Sequence, residues 1–171
     1  MTQAHVLRAL VLATAVVVMA SSTASAQMFV PTGRDTLRGL PGIEVVVEAL
    51  QPEMEQKGIT RTAIAADVAG RLRAGGIEVY GSQGENPSPA KAYLYVHVNA
   101  LELPRQEAYA VAIQVQLRQT VRSVVSESQI VNAMTWDAHN VLSVPTSGLQ
   151  ALRTEIQSYV DLFVSDWMAV H

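Results

Sequence analysis

The sequence contains no cysteine. That excludes disulfide staples, thiolate metal sites, a thiol nucleophile and a lipid-bearing N-terminal cysteine. Basic charge is also scarce: 12 Lys and Arg stand against 15 Asp and Glu, a formal net charge of −3. Such a balance leaves no electrostatic footprint for nucleic acid. Nor does it suit an anionic membrane surface, which attracts clustered Lys and Arg. The common catalytic signatures are missing too: there is no G-x-S-x-G elbow, no H-E-x-x-H pair and no P-loop. Gly81 and Gly84 lie close together, but the chain runs on into Pro87 and Pro89 instead of opening a helix. It therefore lacks the context in which a helix N-terminus holds phosphate. No cofactor is implied.

Long apolar runs are confined to residues 9–20, A-L-V-L-A-T-A-V-V-V-M-A. Arg8 precedes that run, and small residues ending in Ala24-Ser25-Ala26 follow it. This order predicts a cleavable secretory signal peptide over residues 1–26, with Gln27 opening the mature chain. The run is too short for a spanning helix, which needs about 20 apolar residues. Arg8 is the one charged residue of the leader, so cleavage takes the formal charge from −3 to −4. The expected address is outside the cytoplasm. The Ala- and Val-rich style points first to a bacterial periplasm and second to release from the cell. No later stretch approaches membrane-spanning length.

The mature length suits one domain with a core of its own. Residues 27–41, with Pro31, Gly33, Gly39 and Pro41, read as an irregular lead-in to a single domain over 42–171. Residues 43–50 are strand-like, with Val45, Val46 and Val47 supplying β-branched bulk. Thr60 suits a helix N-cap, and Ile64, Val68 and Leu72 make one apolar stripe up to Gly75-Gly76. A short strand over 77–80 completes a βαβ unit, so these first two strands should run parallel. Glu53 and Glu55 between them read as a solvated turn.

Two long strands, 92–103 and 109–122, carry the clearest period-two signal. A fifth strand follows over 133–144, with Met134, Trp136, Ala138 and Leu142 expected on the core face. The last helix then places Leu149, Leu152, Ile156, Tyr159, Val160, Phe163, Trp167 and Val170 on one stripe. Its acids Glu155, Asp161 and Asp166 read as solubility residues. The order β-α-β-β-β-β-α predicts an α+β two-layer sandwich, with a mixed, mostly antiparallel sheet and both helices on one face.

The central hairpin decides which side chains are left bare. Even positions are apolar in its first strand and odd positions in its second, so opposed residues must have numbers summing to an odd value. With 213 as that sum, Tyr95 lies opposite Arg118 and His97 opposite Gln116. The helix-free face then presents Tyr93, Tyr95, His97, Asn99, Gln114, Gln116 and Arg118 as partner-binding candidates. Arg122, Glu44, Glu48, Asp137 and His139 are placed to join them. His97, Asp137 and His139 also have the composition of a two-His-one-carboxylate metal set.

From residue 43 to 170 the element order resembles that of small bacterial envelope modules, such as the lipopolysaccharide-assembly lipoprotein LptE and the N-terminal domain of TolB. That resemblance is one of topology. The missing catalytic motifs, the exposed Tyr, Gln and Arg face and the edge strands point to a non-catalytic binding or assembly role, with an envelope protein or a glycan as partner. Two other classes stand beside it: a hydrolase or metal enzyme built on His97, His139 and Asp137, and a carrier of a small apolar ligand. Export generates the first test. Edman sequencing of the exported protein should begin at Gln27, and an intact Met1 would overturn cleavage.

Overall fold

The computed structural model describes residues 33–82, 84–126 and 128–171. The leader read at residues 1–26 lies outside them. Along the chain run β1 (Ile43–Val47), α1 (Pro52–Gln56), α2 (Arg61–Ala74), β2 (Val79–Tyr80), β3 (Tyr93–Leu103), β4 (Ala108–Arg122), β5 (Ile130–Pro145) and α3 (Ala151–Met168). The strands form one sheet in the order β2-β1-β3-β4-β5. β1 is parallel to β2 and to β3, over short stretches. The β3–β4 and β4–β5 pairs are antiparallel and long. This is the α+β two-layer sandwich that the alternation and helical stripes predict. The segment over Pro52–Gln56, read as a turn, instead closes one helical turn with Pro at its start and Met54 buried beneath it.

Each expected stripe faces the space between the layers. Ile64, Val68 and Leu72 of α2 are buried, as are Leu152, Ile156, Val160, Phe163 and Trp167 of α3. They meet Leu94, Val96 and Val98 of β3 and Val111, Ile113, Val115 and Leu117 of β4 in one cluster. The Thr60 hydroxyl accepts from the Ala63 N–H at 3.2 Å, satisfying a donor that the first turn leaves free. Gly42 is required where β1 enters the sheet. A Cβ there would sit 2.6 Å from the Glu78 carbonyl oxygen. The two-residue β2 is shorter than the predicted 77–80, because Ile77 turns into the core.

The lead-in also contributes to the core. Gly33–Leu37 forms a 3₁₀ turn against β5, and Leu37 and Leu40 are buried. Gln119 is a buried polar side chain on the core side of β4. Its amide donates to the Thr36 carbonyl at 3.1 Å and to the Thr135 hydroxyl at 2.8 Å, so its burial costs little.

Two expectations for the sheet are corrected. The hairpin parity is as predicted, but the sum is 211: Val98 opposes Ile113, Tyr95 opposes Gln116 and His97 opposes Gln114. The connection of Pro104–Gln106 and Glu107, whose φ is +49°, joins Leu103 directly opposite Ala108 and so sets the sum. The second correction is a β-bulge. Leu117 opposes Trp136 and Arg118 opposes Met134, leaving Thr135 as the extra residue. The bulge reverses the alternation, so Met134 leaves the core face and is 51% exposed. Thr135, which strict alternation with Met134 and Trp136 would put on the outer face, turns toward Gln119 instead.

Phe163 joins the two layers. It is fully buried and meets Trp136 edge to face at 5.0 Å between ring centres. Replacing Phe163 by Ala should cost about 3–5 kcal/mol in urea unfolding. Its neighbour Leu162 is 55% exposed, so Leu162→Ala should cost less than about 1 kcal/mol.

Candidate functional site

Both helices of the upper layer lie on one side, and among the described residues no helix covers the other side of the sheet. Its side chains follow from the register. Along β1 and just past its end, Glu44, Val46 and Glu48 alternate with the inward Val45 and Val47. Glu44 neighbours Tyr93, which opposes Arg118, which opposes Met134. Val46 leads across the sheet to Tyr95, Gln116 and Asp137. In the next row His97, Gln114 and His139 lie side by side. All seven partner-binding candidates therefore share one face, on the adjacent strands β3 and β4.

Most of these side chains lie flat on the sheet and bind one another. The Tyr95 hydroxyl donates to Glu48 Oε2, and His97 Nδ1 contacts the same oxygen. The Arg118 guanidinium lies 4.9 Å from the centre of the Tyr95 ring. It also donates to Gln116 Oε1 from two nitrogens, at 3.2 and 3.1 Å. Gln116 in turn donates to Gln114 Oε1 at 3.4 Å. The Tyr93 hydroxyl reaches across β4 to Asn132 Oδ1 at 3.4 Å. At the far side Gln51 donates to Asn99 Oδ1 at 2.7 Å. The predicted Tyr95–Arg118 contact thus exists, as a diagonal neighbour pair and not a directly opposed one.

The electrostatics follow the geometry. The Tyr95 hydroxyl bond, with smaller contributions from His97 and Arg118, holds the Glu48 carboxyl below its ordinary value, against a partial desolvation that opposes it. The same bond raises the Tyr95 phenol. Glu44 is pushed up, first by burial and then by nearby Glu85, and its enclosed Oε2 has no hydrogen-bond partner among the described residues.

His97 and His139 are not brought together. Gln114 lies between them, and two strand spacings separate them by about 10 Å. Each has a carboxylate of its own: Glu48 for His97, and Asp137 for His139 at 2.7 Å. Among the described residues no three His, Cys, Asp or Glu side chains gather as metal ligands would.

One end of the face is apolar, which residue chemistry alone did not bring out. Leu101 is 66% exposed and Val141 is 72% exposed. They flank Ala110 and Ala112 of β4, whose small side chains leave a shallow apolar saddle beside the polar network. The signal was present in the alternation, which continues through Leu101 and Val141. Glu48 supplies the network's carboxylate from a position just beyond β1.

No family model matches the chain, and no curated protein matches it. Among solved structures, a PelC dodecamer from Paraburkholderia phytofirmans is similar in backbone course. It shares 21% identity over 76% of this chain and 90% of that one, with a TM-score of 0.46. Among the described residues no helix is long and apolar enough to cross a membrane.

The Glu48–Tyr95 bond has a defined pH signature. A lowered carboxyl adds stability that is present above its unfolded value near 4.5 and is lost as pH falls through the folded one. A raised phenol adds stability that is present below 10.0 and is lost as pH rises through the folded value. The stability difference between wild type and Tyr95→Phe should therefore be flat from about pH 6 to 9 and shrink at both extremes. Urea unfolding of both proteins from pH 3 to 11 measures it. A difference independent of pH would show that the bond is absent in solution.

Proposed function

We propose that this protein is an exported docking module of the bacterial envelope, and that it binds a protein partner through the helix-free face of its sheet. The carrying observation is the flat Glu48–Tyr95–Arg118–Gln116 network. Its long side chains are already ordered before a partner arrives, which lowers the entropy lost on binding. Tyr and Arg are the residues that most often dominate interface energies. The apolar saddle of Leu101, Ala110, Ala112 and Val141 supplies area that binding would remove from water. A protein fits this face better than a glycan, because Arg118 already covers a face of the Tyr95 ring on which a sugar would stack. The exported address rests on the leader pattern of residues 1–26.

The test is a photo-crosslinking amino acid placed at position 112, in the middle of the face, and at position 162 on α3. In cells, position 112 should give a discrete adduct and position 162 none. The double variant Tyr95→Ala, Arg118→Ala should weaken that adduct at least tenfold while keeping a cooperative unfolding transition. Equal adducts from both positions, or an adduct indifferent to the double variant, would overturn the assignment.

A further inference from the structure

The sheet has two edges of unlike kind. β2 is two residues long and closes one side. β5 is 16 residues long and forms the other. Long bare edges are the usual site at which a sheet adds a strand from another chain, and proteins commonly blunt them with Lys, Pro or a covering segment. β5 has no lysine, and its one proline is its last residue. The 3₁₀ turn of Gly33–Leu37 covers its middle, where the Thr36 hydroxyl donates to the Thr135 carbonyl at 3.3 Å. Beyond that point no described residue pairs with the edge.

The ladder tells which backbone groups face outward. Thr146 N donates to Glu107 O at 2.8 Å, so in the β4–β5 pairing the even residues of β5 point at β4. The odd residues Asp137, His139, Val141 and Ser143 then turn both N–H and C=O to the free side. The Val141 N–H is taken by its neighbour Asn140, whose Oδ1 accepts it at 2.8 Å. No backbone partner of Asp137, His139 or Ser143 on that side is seen among the described residues.

We infer that this edge pairs with the same strand of a second copy of the chain, antiparallel about a two-fold axis at Ala138. Asp137 then opposes His139 of the second copy, and His139 opposes Asp137 of the second copy. An isologous contact of this kind needs a self-complementary patch, and the alternation of acid and imidazole two residues apart provides one. Four backbone hydrogen bonds close between the open groups of these residues. Other registers are worse. An axis at His139 sets two imidazoles face to face, and one at Asp137 sets two carboxylates so. An axis at Asn140 asks for the Val141 N–H, which Asn140 already holds. The 3₁₀ turn limits pairing to the open part of the strand, so the dimer is a weak, concentration-dependent one. The inference rests on the backbone edge with Asp137 and His139, whereas the docking proposal rests on Glu48, Tyr95, Arg118 and Gln116, so either can fail alone.

Sedimentation equilibrium on the chain as expressed tests it. Wild type should show a reversible monomer–dimer equilibrium. His139→Glu should weaken it at least tenfold by opposing two carboxylates, Asp137→Lys should weaken it by removing the carboxylate that the imidazole meets, and the two together should restore it by setting opposite charges face to face. His139→Pro removes an outward N–H without touching the β4 ladder, and should abolish the dimer while unfolding stays cooperative. Should that variant fail to fold, the charge series and one further variant decide. In this cysteine-free chain, Ala138→Cys should oxidise to a symmetric disulfide, since non-hydrogen-bonded partners lie about 4.5 Å apart at Cα. A protein that stays monomeric at millimolar concentration overturns the inference. So does a dimer indifferent to these substitutions, or capture of another protein's strand at this edge with no self-association.

Discussion

The burial of alternate residues of β3 and β4 on one side of the sheet is the constraint on which the rest depends. Leu94, Val96, Val98, Val111, Ile113, Val115 and Leu117 all face the helices. A slip of one residue would move a whole set into water at about 25 cal/mol for each Å² of apolar surface. That single choice of face fixes which side α2 and α3 must cover. It also fixes which side chains are left on the other side. The polar face is thus a geometrical consequence of the core and not an independent feature.

The helix layer is held to itself and to the sheet by paired charges. Arg71 binds Asp161 and Arg153 binds Asp67, each through two nitrogens, joining α2 to α3. Asp166 accepts from Arg34 at 2.7 Å and from the Trp136 indole at 2.9 Å, joining α3 to the 3₁₀ turn and to β5. Exposed pairs of this sort contribute little each, on the order of 0–1 kcal/mol. Their value lies in orientation: the stripes of two helices on one sheet could slide, and fork-shaped Arg–carboxylate contacts favour one arrangement.

Much of this was legible in the residues. Thr60, the α2 and α3 stripes, the parallel βαβ unit and the face assigned to Tyr93, Tyr95 and His97 all follow from spacing. What was not legible depends on details that periodicity does not carry. Parity fixes the face of a strand but not its partner, so the hairpin sum of 211 waited on the turn at Pro104–Glu107. A bulge leaves no mark in composition, so Met134 and Thr135 were placed on each other's faces. Asp161, Asp166 and Glu155 read as solubility residues because their partners come from elsewhere in the fold or from a tyrosine on the stripe itself. Glu48 was read as a possible member of the face. Its hold on Tyr95 and His97 depends on a strand-to-strand register that one strand cannot reveal.

A two-layer sandwich that covers one face of its sheet leaves two kinds of unsatisfied surface, a face and an edge, and this chain treats them differently. On the face, polar side chains bind one another: Glu48 with Tyr95, Arg118 with Gln116, Asp137 with His139. Such a surface loses little by being wet and little more by being covered, which suits reversible contact. At the edge, the turn before β1 satisfies Thr135 and Asn140 satisfies Val141, while among the described residues nothing pairs with the outward backbone groups of Asp137 and His139. Selective protection of an edge restricts pairing to one short stretch and one register. A bare edge of the same length would accept any strand. The side chains that flank the open stretch belong to the polar face as well, so contact at the edge and contact on the face share Asp137 and His139. Whatever occupies one of them therefore changes the surface offered to the other.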